Sequence, residues 1–452
     1  MGSDDRAKLM DSLKANRRSA RGRAASAPAR QQTPAPKRKV FDFKELPQIK
    51  QLQMHRAAAD MMGIENPFFR PHDGLAAGTS VINGSNYDNF ASYNYLGLNG
   101  HPKVNAAAKA AIDQYGTSVS ASRIVAGERP FHGELEAALA RIHGVESAIV
   151  MVSGHATNVT TIGHLMQKGD LVLTDSFVHN SIAEGVRLSG ATRMNFPHDN
   201  LDALEKMLAD HRHKFERVLI AVEGLYSMDG DFPDLKRIIK LKQAYDAWLM
   251  VDEAHSIGVL GKTGHGIAEH FGIDPTEVEI WMGTLSKTFS SCGGYIAGSK
   301  VLCDYLKVSA PGFVFSVGLS AALAGAAIAS AEMLEQEPER VERLQKNGAL
   351  FLKLAKEAGL NTGPSAGYAV IPVIVGDSAG AAMLSNRLLA KGINALPIIF
   401  PAVPEKSARI RFFITSEHTE DQIVRAVETT VVELDAMRAD GTAVDRLIKA
   451  AR

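Results

Sequence analysis

The chain has 452 residues, 45% of them hydrophobic, and a formal net charge of zero. This length is too great for one small hydrophobic core, so two or three domains of a soluble enzyme are expected. The two cysteines, Cys292 and Cys303, exclude a disulfide framework and favour the reducing cytoplasm. No apolar run reaches the roughly eighteen residues that a transmembrane helix requires.

The first 40 residues differ in charge from the remainder. They contain eleven Lys or Arg against three Asp, which leaves +8 on this segment and −8 on the rest. Large apolar residues are almost absent, and we expect residues 1–40 to be disordered. The acids Asp4, Asp5 and Asp11 disfavour a mitochondrial presequence. A nucleic-acid-binding tail fits the charge, but a solvated linker or a weak membrane-surface contact is the simpler interpretation, and no nucleic acid is expected as a partner.

From residue 41 onward the chain shows the pattern of a folded α/β protein. The segments “NLDALEKMLADHR” (200–212) and “DLKRIIKLKQAYD” (234–246) predict helices. Near-continuous apolar runs alternate with such segments and favour a mostly parallel sheet covered on both faces. The runs that predict buried strands are “SAIVMVS” (147–153), “DLVLTD” (170–175), “RVLIAVEG” (217–224), “AWLMVD” (247–252) and “EIWMGT” (279–284).

The C-terminal part has a different pattern. The Ala-rich stretch “LSAALAGAAIASAEML” predicts a buried helix, and “EQEPERVERLQKNGALFLKLAKEAG” (335–359) predicts one long charged helix. The segments “YAVIPVIVG”, “GINALPII” and “ARIRFFIT” follow and indicate a smaller α/β domain. We therefore divide the chain into a tail (1–40), an N-terminal arm (41–95), a large domain (96–335) and a small C-terminal domain (336–452).

The segment “LMVDEAHSIGVLGKTGHG” (249–266) contains a DEAH box and a GKT triplet, as ATP-driven helicases do. A phosphate-binding P-loop requires G-x-x-x-x-G-K-[ST], but the position of its first glycine is Ser256. The order is also reversed. In P-loop enzymes the phosphate loop precedes the acidic strand by many residues, whereas here the GKT triplet follows that strand almost at once. We therefore reject an NTPase and interpret “GKTGHG” as a turn.

An acid and a lysine follow two of the predicted strands. Asp252 ends an apolar run, at the sheet edge where open α/β proteins bind ligands. Thirty-five residues later, Lys287 stands among hydroxyls and glycines in “TLSKTFSSCGG”. Desolvation there would lower the pKa of the lysine and favour amine chemistry. Taken singly, Asp252 is equally well explained as a helix cap; together, the two residues match what pyridoxal 5′-phosphate (PLP) requires. No metal site is predicted.

Further polar residues follow other predicted strands of the same sheet. The backbone at Gly154 and His155 opens a helix and would bind an anion, although an ordinary helix cap can be present at the same time. His179 could lie flat over an aromatic cofactor or serve as a structural hydrogen-bonding residue. Ser227 and His255 could contact a cofactor oxygen or simply stabilise their loops.

These segments resemble the α-oxoamine synthases, PLP enzymes of the aspartate-aminotransferase fold (fold type I). The resemblance runs from about residue 91 to residue 419. It implies a large domain with a mostly parallel central sheet, a smaller C-terminal α/β domain, a PLP cofactor and a homodimer. The matching motifs are “NYLGL”, “SGHATN”, “HNSI”, “EGLYSMDGD”, “VDEAHSIGVLGKTGHG” and “GTLSKTFSSCGGY”.

The resemblance also implies roles for individual residues. Of the implied catalytic set, Lys287 would bind PLP as a Schiff base and move the Cα proton, Asp252 would pair with the pyridine nitrogen, and His179 would stack on the ring. For the amino-acid substrate it implies Asn94 and Arg411, the latter gripping the carboxylate through two donors. Arg409, two residues away on the same predicted strand, competes for that role. The other implied cofactor-binding residues are Gly154, His155, Ser227, His255, Thr284 and Ser286.

The chain departs from the family pattern at three places. His155 stands where an aromatic residue is usual, which puts any ring packing there in doubt. The segment “FSVGLSAA” lacks the prolines of a region near the subunit boundary, which weakens the expectation that Ser316 binds phosphate across a dimer. Ala402 stands where a threonine is common, which weakens the expectation of one substrate contact.

The implied reaction is a decarboxylating condensation of an α-amino acid with an acyl thioester, giving an α-amino ketone. The segments “GIENPFFRPHDG” and “YDNFASYNYLGL” resemble bacterial serine palmitoyltransferases, so L-serine, a long-chain acyl thioester and sphingolipid biosynthesis are the first prediction. The family alternatives are alanine or glycine as the amino acid, an acyl carrier protein instead of CoA as the acyl carrier, and 8-amino-7-oxononanoate synthesis. A plain aminotransferase and a nucleic-acid binder acting through the basic tail are the alternatives from other classes.

Overall fold

The computed structural model describes residues 42–439 and residue 441. The predicted disordered tail, residues 1–40, lies outside the described residues. The described residues divide into two compact units, residues 42–57 and the residues from Ala58 onward. The first unit contains a short 3₁₀ turn, Phe43–Glu45, and most of the first helix, α1 (Pro47–Met61). All of the strands lie in the second unit.

The second unit begins with a β-hairpin of strands β1 (Thr79–Ile82) and β2 (Ser85–Asn89). Its two-residue turn is Asn83-Gly84, and both residues have positive φ, 51° and 76°. Asn and Gly tolerate this left-handed backbone best, which makes the dipeptide a common sequence for a type I′ hairpin turn. The hairpin has no counterpart among the elements predicted from the sequence.

Seven strands form the central sheet: β3 (Ser147–Met151), β4 (Leu171–Asp175), β5 (Thr192–Phe196), β6 (Val218–Glu223), β7 (Trp248–Asp252), β8 (Ile280–Thr284) and β9 (Gly294–Gly298). Their spatial order is β3-β9-β8-β7-β6-β4-β5. Only β9 runs against the others, so the predicted mostly parallel sheet is confirmed. The five predicted strands are all present. The sequence analysis missed β5, which is a partly exposed edge strand, and β9, which begins and ends with glycine.

The central sheet is buried on both faces, because successive side chains of a strand point to opposite sides. In β6, Ile220 and Val222 belong to one buried cluster, and Leu219 and Ala221 belong to the other. This double burial explains why the strands are apolar at nearly every position. The helices of this region are α2 (Pro102–Tyr115), α3 (Pro130–His143), α4 (Gly154–Leu165), α5 (Asn180–Ser189), α6 (Leu201–His211), α7 (Leu235–Ala244), α8 (Ile267–Phe271), α9 (Lys300–Ser309), α10 (Pro311–Val314) and α11 (Ala321–Gln336).

The remaining elements are α12 (Glu339–Glu357), β10 (Val370–Gly376), α13 (Ser378–Ala390), β11 (Ile393–Asn394), β12 (Leu396–Ile398), β13 (Ala408–Phe413) and α14 (Glu420–Ala439). Strands β10, β13 and β12 form a small antiparallel sheet. Strand β11 instead pairs in parallel with β2. Part of the segment 41–95 thus shares a sheet with the C-terminal part of the chain, and the division into four domains stays a proposal.

The single helix predicted over 335–359 is wrong. The chain forms α11, which ends at Gln336, and α12, which begins at Glu339. Pro338 lies between them, and its ring and missing N–H group prevent one helix from continuing through this point. None of the helices within residues 42–439 is long and apolar enough to cross a membrane.

The “GKTGHG” segment forms a turn whose backbone N–H groups are already bonded to a carboxylate of the protein. The carboxylate of Glu269 accepts hydrogen bonds from the backbone N–H groups of Thr263 and His265, both at 2.9 Å. In a P-loop these donors would face a phosphate. The segment is therefore built around an internal acid and not around a nucleotide.

Candidate active site

A cavity of about 410 Å³ opens at the carboxyl edge of the central sheet. Strands β6, β7 and β8 reach it with their last residues, and the turns after β3 and β4 complete the wall. Parallel strands bring these positions to one edge although they are far apart in the chain. Ten of the eleven residues predicted for the site line the cavity: Gly154, His155, His179, Ser227, Asp252, His255, Thr284, Ser286, Lys287 and Arg411.

Lys287 lies in the loop after β8, with its amine largely withdrawn from water. Its Nζ lies 5.9 Å from the ring centroid of Tyr93, another residue of the cavity wall. Burial lowers the pKa of the amine to about 8, although the carboxyl groups of Asp252 and Glu223 oppose the shift. An amine with this pKa is partly unprotonated near neutral pH, and it can then act as a nucleophile or as a base.

Asp252 is the last residue of β7 and is 4% exposed. Its Oδ2 accepts a hydrogen bond from Asn158 Nδ2 at 2.8 Å, and its Oδ1 accepts one from the backbone of Ala254 at 3.0 Å. These two donors fix the direction of the carboxyl group. The sequence analysis did not single out Asn158. It lies four residues after Gly154 on α4, on the same side of the helix, and that spacing is the signal that identifies it.

His179 stands at the start of α5, and a hydrogen bond to a neighbouring side chain fixes its ring. Its Nδ1 is hydrogen-bonded to Ser181 Oγ at 2.7 Å, and that hydroxyl also accepts a hydrogen bond from Asn158 Nδ2 at 2.9 Å. Burial lowers the pKa of His179, although the charge of Asp252 opposes the shift. The ring of His155 lies nearly perpendicular to it, with 6.2 Å between the centroids. His179 is therefore a fixed, predominantly neutral ring in the cavity wall.

His255 is connected to the loop that precedes α2. Its Nδ1 is hydrogen-bonded to the hydroxyl of Tyr95 at 2.6 Å. Burial holds the pKa of His255 well below its usual range, and burial raises the pKa of Tyr95. Both groups are thus neutral, and when Tyr95 donates to Nδ1, the ring carries its proton on Nε2. Tyr95 is a second residue that the sequence analysis did not single out, although it belongs to the “NYLGL” motif.

The start of α4 and the end of β8 form a polar end of the cavity. A β-carbon added at Gly154 would lie 2.8 Å from Thr284 Oγ1, so only glycine allows the helix to approach the strand this closely. Thr284 Oγ1 donates to the carbonyl of Gly293 at 3.0 Å and is hydrogen-bonded to Ser286 Oγ at 2.8 Å. The free N–H groups at the start of a helix, together with hydroxyl groups, suit a phosphate.

The two arginines of β13 have different surroundings. Arg411 lines the cavity, where its Nη1 donates to the carbonyl of Ser227 at 2.9 Å and its buried Nε has no partner in the described protein. Burial lowers the pKa of Arg411 to about 10, so the guanidinium is still charged at neutral pH. Arg409 instead forms a buried salt bridge with Asp229. Arg411 thus lines the cavity with one N–H group that no described protein atom binds, and Arg409 is engaged inside the protein.

The structure does not bring Asn94 to the cavity. Its side chain is buried, with Nδ2 donating to the carbonyl of Ala76 at 3.0 Å and Oδ1 accepting from the backbone of Asn99 at 3.1 Å. The amide therefore stabilises its own loop, and the preceding residue, Tyr93, lines the cavity. Two positions where the chain departs from the family pattern are also absent from the lining: Ser316 and Ala402.

Glu223 is a second buried carboxyl group next to Asp252, and the sequence analysis did not single it out. The two residues are register partners at the ends of β6 and β7. Glu223 Oε2 accepts a hydrogen bond from the backbone of Ser227 at 3.2 Å, and Oε1 has no partner in the described protein. Burial and the charge of Asp252 raise the pKa of Glu223 to about 8. The signal in the sequence is an acid at the end of the apolar run “VLIAVE”.

Replacing Glu223 by glutamine is expected to reduce the pH dependence of the stability of the cofactor-free protein. An ordinary Glu ionises near pH 4.5, as in the unfolded chain, whereas folded Glu223 stays protonated up to about pH 8. The contribution of Glu223 to the free energy of unfolding is therefore fully present below about pH 4.5 and is lost as the pH rises to about 8. Urea unfolding at both ends of this range should show a smaller loss for the variant. Glu134→Gln, at an exposed position, is the matched control, and equal losses in all three proteins would contradict the prediction.

Comparison with known proteins places this chain in a family. The family model for aminotransferases of class I and II matches residues 86–429. The 8-amino-7-oxononanoate synthase of Bacillus pumilus is 40% identical over 366 residues, which cover 81% of this chain and 92% of that protein. The 8-amino-7-oxononanoate synthase 1 of Bacillus subtilis is 39% identical over 364 residues, which cover 80% of this chain and 92% of that protein.

Solved structures show the same relationship. The serine palmitoyltransferase of Sphingomonas wittichii superimposes with a TM-score of 0.83 at 28% identity, covering 88% of this chain and 99% of that chain. The 8-amino-7-oxononanoate synthase of Francisella tularensis superimposes with a TM-score of 0.68 at 25% identity, covering 77% of this chain and 98% of that chain. The fold is that of the type I PLP-dependent transferases, and the chain belongs to the α-oxoamine synthases, PLP-dependent enzymes of the acyltransferase type.

Proposed function

We propose that the chain condenses an α-amino acid with an acyl thioester, with loss of CO₂, to give an α-amino ketone. One observation carries the proposal: Lys287, Asp252 and the available donor of Arg411 meet in one cavity at the carboxyl edge of the sheet. This set fits PLP, because it combines an amine of lowered pKa, a fixed carboxylate and a polar end suited to a phosphate.

Each group has a distinct task in this proposal. PLP, when bound, withdraws electrons from the Cα atom of the amino acid and so makes its proton removable. Asp252 would hold the proton at the pyridine nitrogen, where Asn158 and the backbone of Ala254 keep its carboxylate oriented. Lys287 would hold PLP covalently and then take the proton from Cα at its Nζ. A base with a pKa near the working pH is the most effective for this step.

The remaining residues of the cavity would bind and orient the two molecules. The start of α4 at Gly154 and His155, with Thr284 and Ser286, would hold the phosphate. His179 would lie against the ring, and Ser227 and His255 would contact its oxygen. Arg411 would bind the amino-acid carboxylate through its available N–H groups, since a guanidinium matches a carboxylate at two points. Fixing the carboxylate also fixes the Cα–H bond relative to the ring.

We infer that alanine and a seven-carbon acyl thioester ending in a carboxylate are the first substrates to test. The relatives at 37–40% identity are named for 8-amino-7-oxononanoate, a nine-carbon chain with its amino group on the eighth carbon and its keto group on the seventh. A decarboxylating condensation that joins these two carbons takes the last two carbons from alanine and the first seven from the acyl group. The N-terminal segments favoured serine and a long-chain acyl thioester as the first candidate substrates, whereas these relatives favour alanine and the seven-carbon thioester. They give no support to a role in sphingolipid biosynthesis.

Serine with a long-chain acyl thioester is the second candidate. The observation in its favour is the TM-score of 0.83 over 99% of a serine palmitoyltransferase chain, compared with 0.68 for the Francisella tularensis synthase. An acyl carrier protein in place of CoA is compatible with either candidate.

Two measurements on the purified PLP-loaded enzyme test the proposal. L-Alanine, L-serine and glycine are first compared by the spectral shift that each causes in the cofactor. Thiol release is then measured with the pimeloyl and palmitoyl thioesters of CoA and of an acyl carrier protein. Alanine with a pimeloyl thioester is expected to react fastest, and serine with palmitoyl-CoA would favour the second candidate. Keto-acid-dependent amino transfer without thiol release from any donor would contradict the condensation.

We also propose that the enzyme is a homodimer. The segment around 124–125 and the segment around 315–317 expose a group of large apolar side chains near each other. Val125 is 79% exposed and Phe315 is 86% exposed, which is unusual for such residues in a single folded unit and is typical of surfaces that a partner covers.

A further inference from the structure

His198 contacts two carboxylates at the same time, that of the buried Asp175 and that of the half-buried Asp231. It follows β5, and its Nδ1 lies 3.0 Å from Asp175 Oδ1 while its Nε2 lies 2.8 Å from Asp231 Oδ2. A carboxylate can only accept, so each ring nitrogen must carry a hydrogen for both contacts to be hydrogen bonds. With both carboxyl groups ionised, this geometry fits an imidazolium ion between two carboxylates.

The surroundings keep this charge in place and largely out of water. The ring of Phe177 stacks on His198 with 4.3 Å between the centroids, and the ring of Tyr226 meets it edge-on at 4.6 Å. Burial disfavours the charged ring, but the hydrogen bonds and charges of Asp175 and Asp231 overcome this effect and raise the pKa of His198 to about 10. The ring is consequently charged throughout the physiological pH range.

The two carboxylates belong to two different loops of the active site. Asp175 ends β4, and His179 follows it by four residues. Asp231 follows Ser227 by four residues, in the loop after β6. Asp175 also accepts a hydrogen bond from the backbone of Phe177 in its own loop, at 2.7 Å, and one from the backbone of Asp199, next to His198 in the loop after β5, at 3.0 Å. His198 itself does not line the cavity.

We propose that protonated His198 is a positioning residue that clamps these two loops together and so sets the spacing between His179 and Ser227. These two residues are the proposed contacts of the ring face and the ring oxygen, so the inference rests in part on the proposed function. A change in their spacing would alter how these residues hold the cofactor next to Lys287, the proposed acceptor of the Cα proton. A misplacement of about 1 Å is enough to lower a rate by roughly 100-fold.

The charge state of His198 is tested first, in the cofactor-free protein. Nitrogen-15 NMR at pH 8 should show one histidine ring with protons on both nitrogens, and this signal should be missing from the spectrum of His198→Gln. A neutral His198 ring at this pH would overturn the inference, because a neutral ring cannot donate to both carboxylates.

The clamp is tested with His198→Gln, whose amide cannot donate to carboxylates on opposite sides. We expect this variant to keep the folded far-ultraviolet spectrum and to change the induced circular dichroism of bound PLP. Its kcat should fall roughly 10- to 100-fold with little change in the KM for the amino acid. The matched control is His164→Gln, which removes a ring bonded to Ser309 Oγ at 2.8 Å outside the cavity lining and should leave all three quantities unchanged.

Wild-type circular dichroism of PLP in folded His198→Gln would overturn the inference. If this variant does not fold, Asp231→Ala replaces it, because it removes the carboxylate bonded to Nε2 and so opens one side of the clamp. A changed PLP signal in Asp231→Ala supports the clamp, and a wild-type signal overturns it. The circular dichroism is recorded without an acyl donor. It therefore tests the clamp even if the enzyme turns over no thioester. A lack of thioester turnover would contradict the proposed function and not the clamp.

Discussion

Lys287→Ala is expected to lose the visible absorption of covalently bound PLP and to reduce condensation by about 10³-fold or more. The variant lacks both the amine that would hold the cofactor and the base that would take the Cα proton. Absorption spectra of the purified protein measure the first loss, and thiol release measures the second. Treatment with borohydride followed by mass spectrometry should attach the cofactor to the wild-type chain and not to the variant.

Lys262→Ala is the matched control for this experiment. Lys262 belongs to the “GKTGHG” turn, is exposed, and does not line the cavity. Its replacement should leave the absorption and the rate at wild-type values. Borohydride attachment of PLP to Lys287→Ala at another lysine would contradict the assignment of Lys287.

Arg411→Lys is expected to lower kcat/KM for the amino acid by about 100-fold. Lysine keeps the positive charge but presents a point charge in place of the planar pair of donors that matches a carboxylate. Most of the loss should appear as a higher KM, because the carboxylate is bound both in the starting complex and in the transition state. Steady-state kinetics with the preferred amino acid, and its spectral dissociation constant, measure the two parts.

Arg409→Lys provides the contrast. Arg409 is 4% exposed and forms a buried salt bridge with Asp229, so its replacement should lower the free energy of unfolding and leave the KM for the amino acid near the wild-type value. Urea unfolding and kinetics of both variants separate the two roles. A raised KM in Arg409→Lys, with normal kinetics in Arg411→Lys, would reverse the assignment of the carboxylate site.

Much of the fold could be predicted because the signals are local. Strands β3, β4, β6, β7 and β8 are buried on both faces, and such strands must be apolar at nearly every position. The edge strand β5 and the glycine-bounded β9 lack that signal, since exposure and glycine both weaken the apolar pattern. The single helix predicted over 335–359 was wrong because the charged residues continue on both sides of Pro338, whereas the helical backbone is interrupted there.

For the site residues, too, a local sequence signal separates those that were predicted from those that were missed. Asp252, Lys287 and His179 were predictable because each follows an apolar strand, and the ends of parallel strands meet at one edge of the sheet. Asn158 and Glu223 were missed although each has a weak signal in the sequence, because neither the helical spacing from Gly154 nor an acid at a strand end shows which group the side chain contacts. Asn158 is identified by its bond to the carboxylate of Asp252, and Glu223 by its register with the same residue.

The amino-acid sequence alone was sufficient for the family, the fold class and the cofactor, because these depend on residue types at the ends of recognisable strands. The choice between Arg411 and Arg409 depended on the tertiary structure, since both stand on one strand and only the position of Asp229 separates them. Asn94 was predicted for the site, but its amide is bonded within the protein and the preceding residue, Tyr93, lines the cavity. The bond between His198 and two distant loops depends on contacts between segments far apart in the chain, which no local pattern encodes.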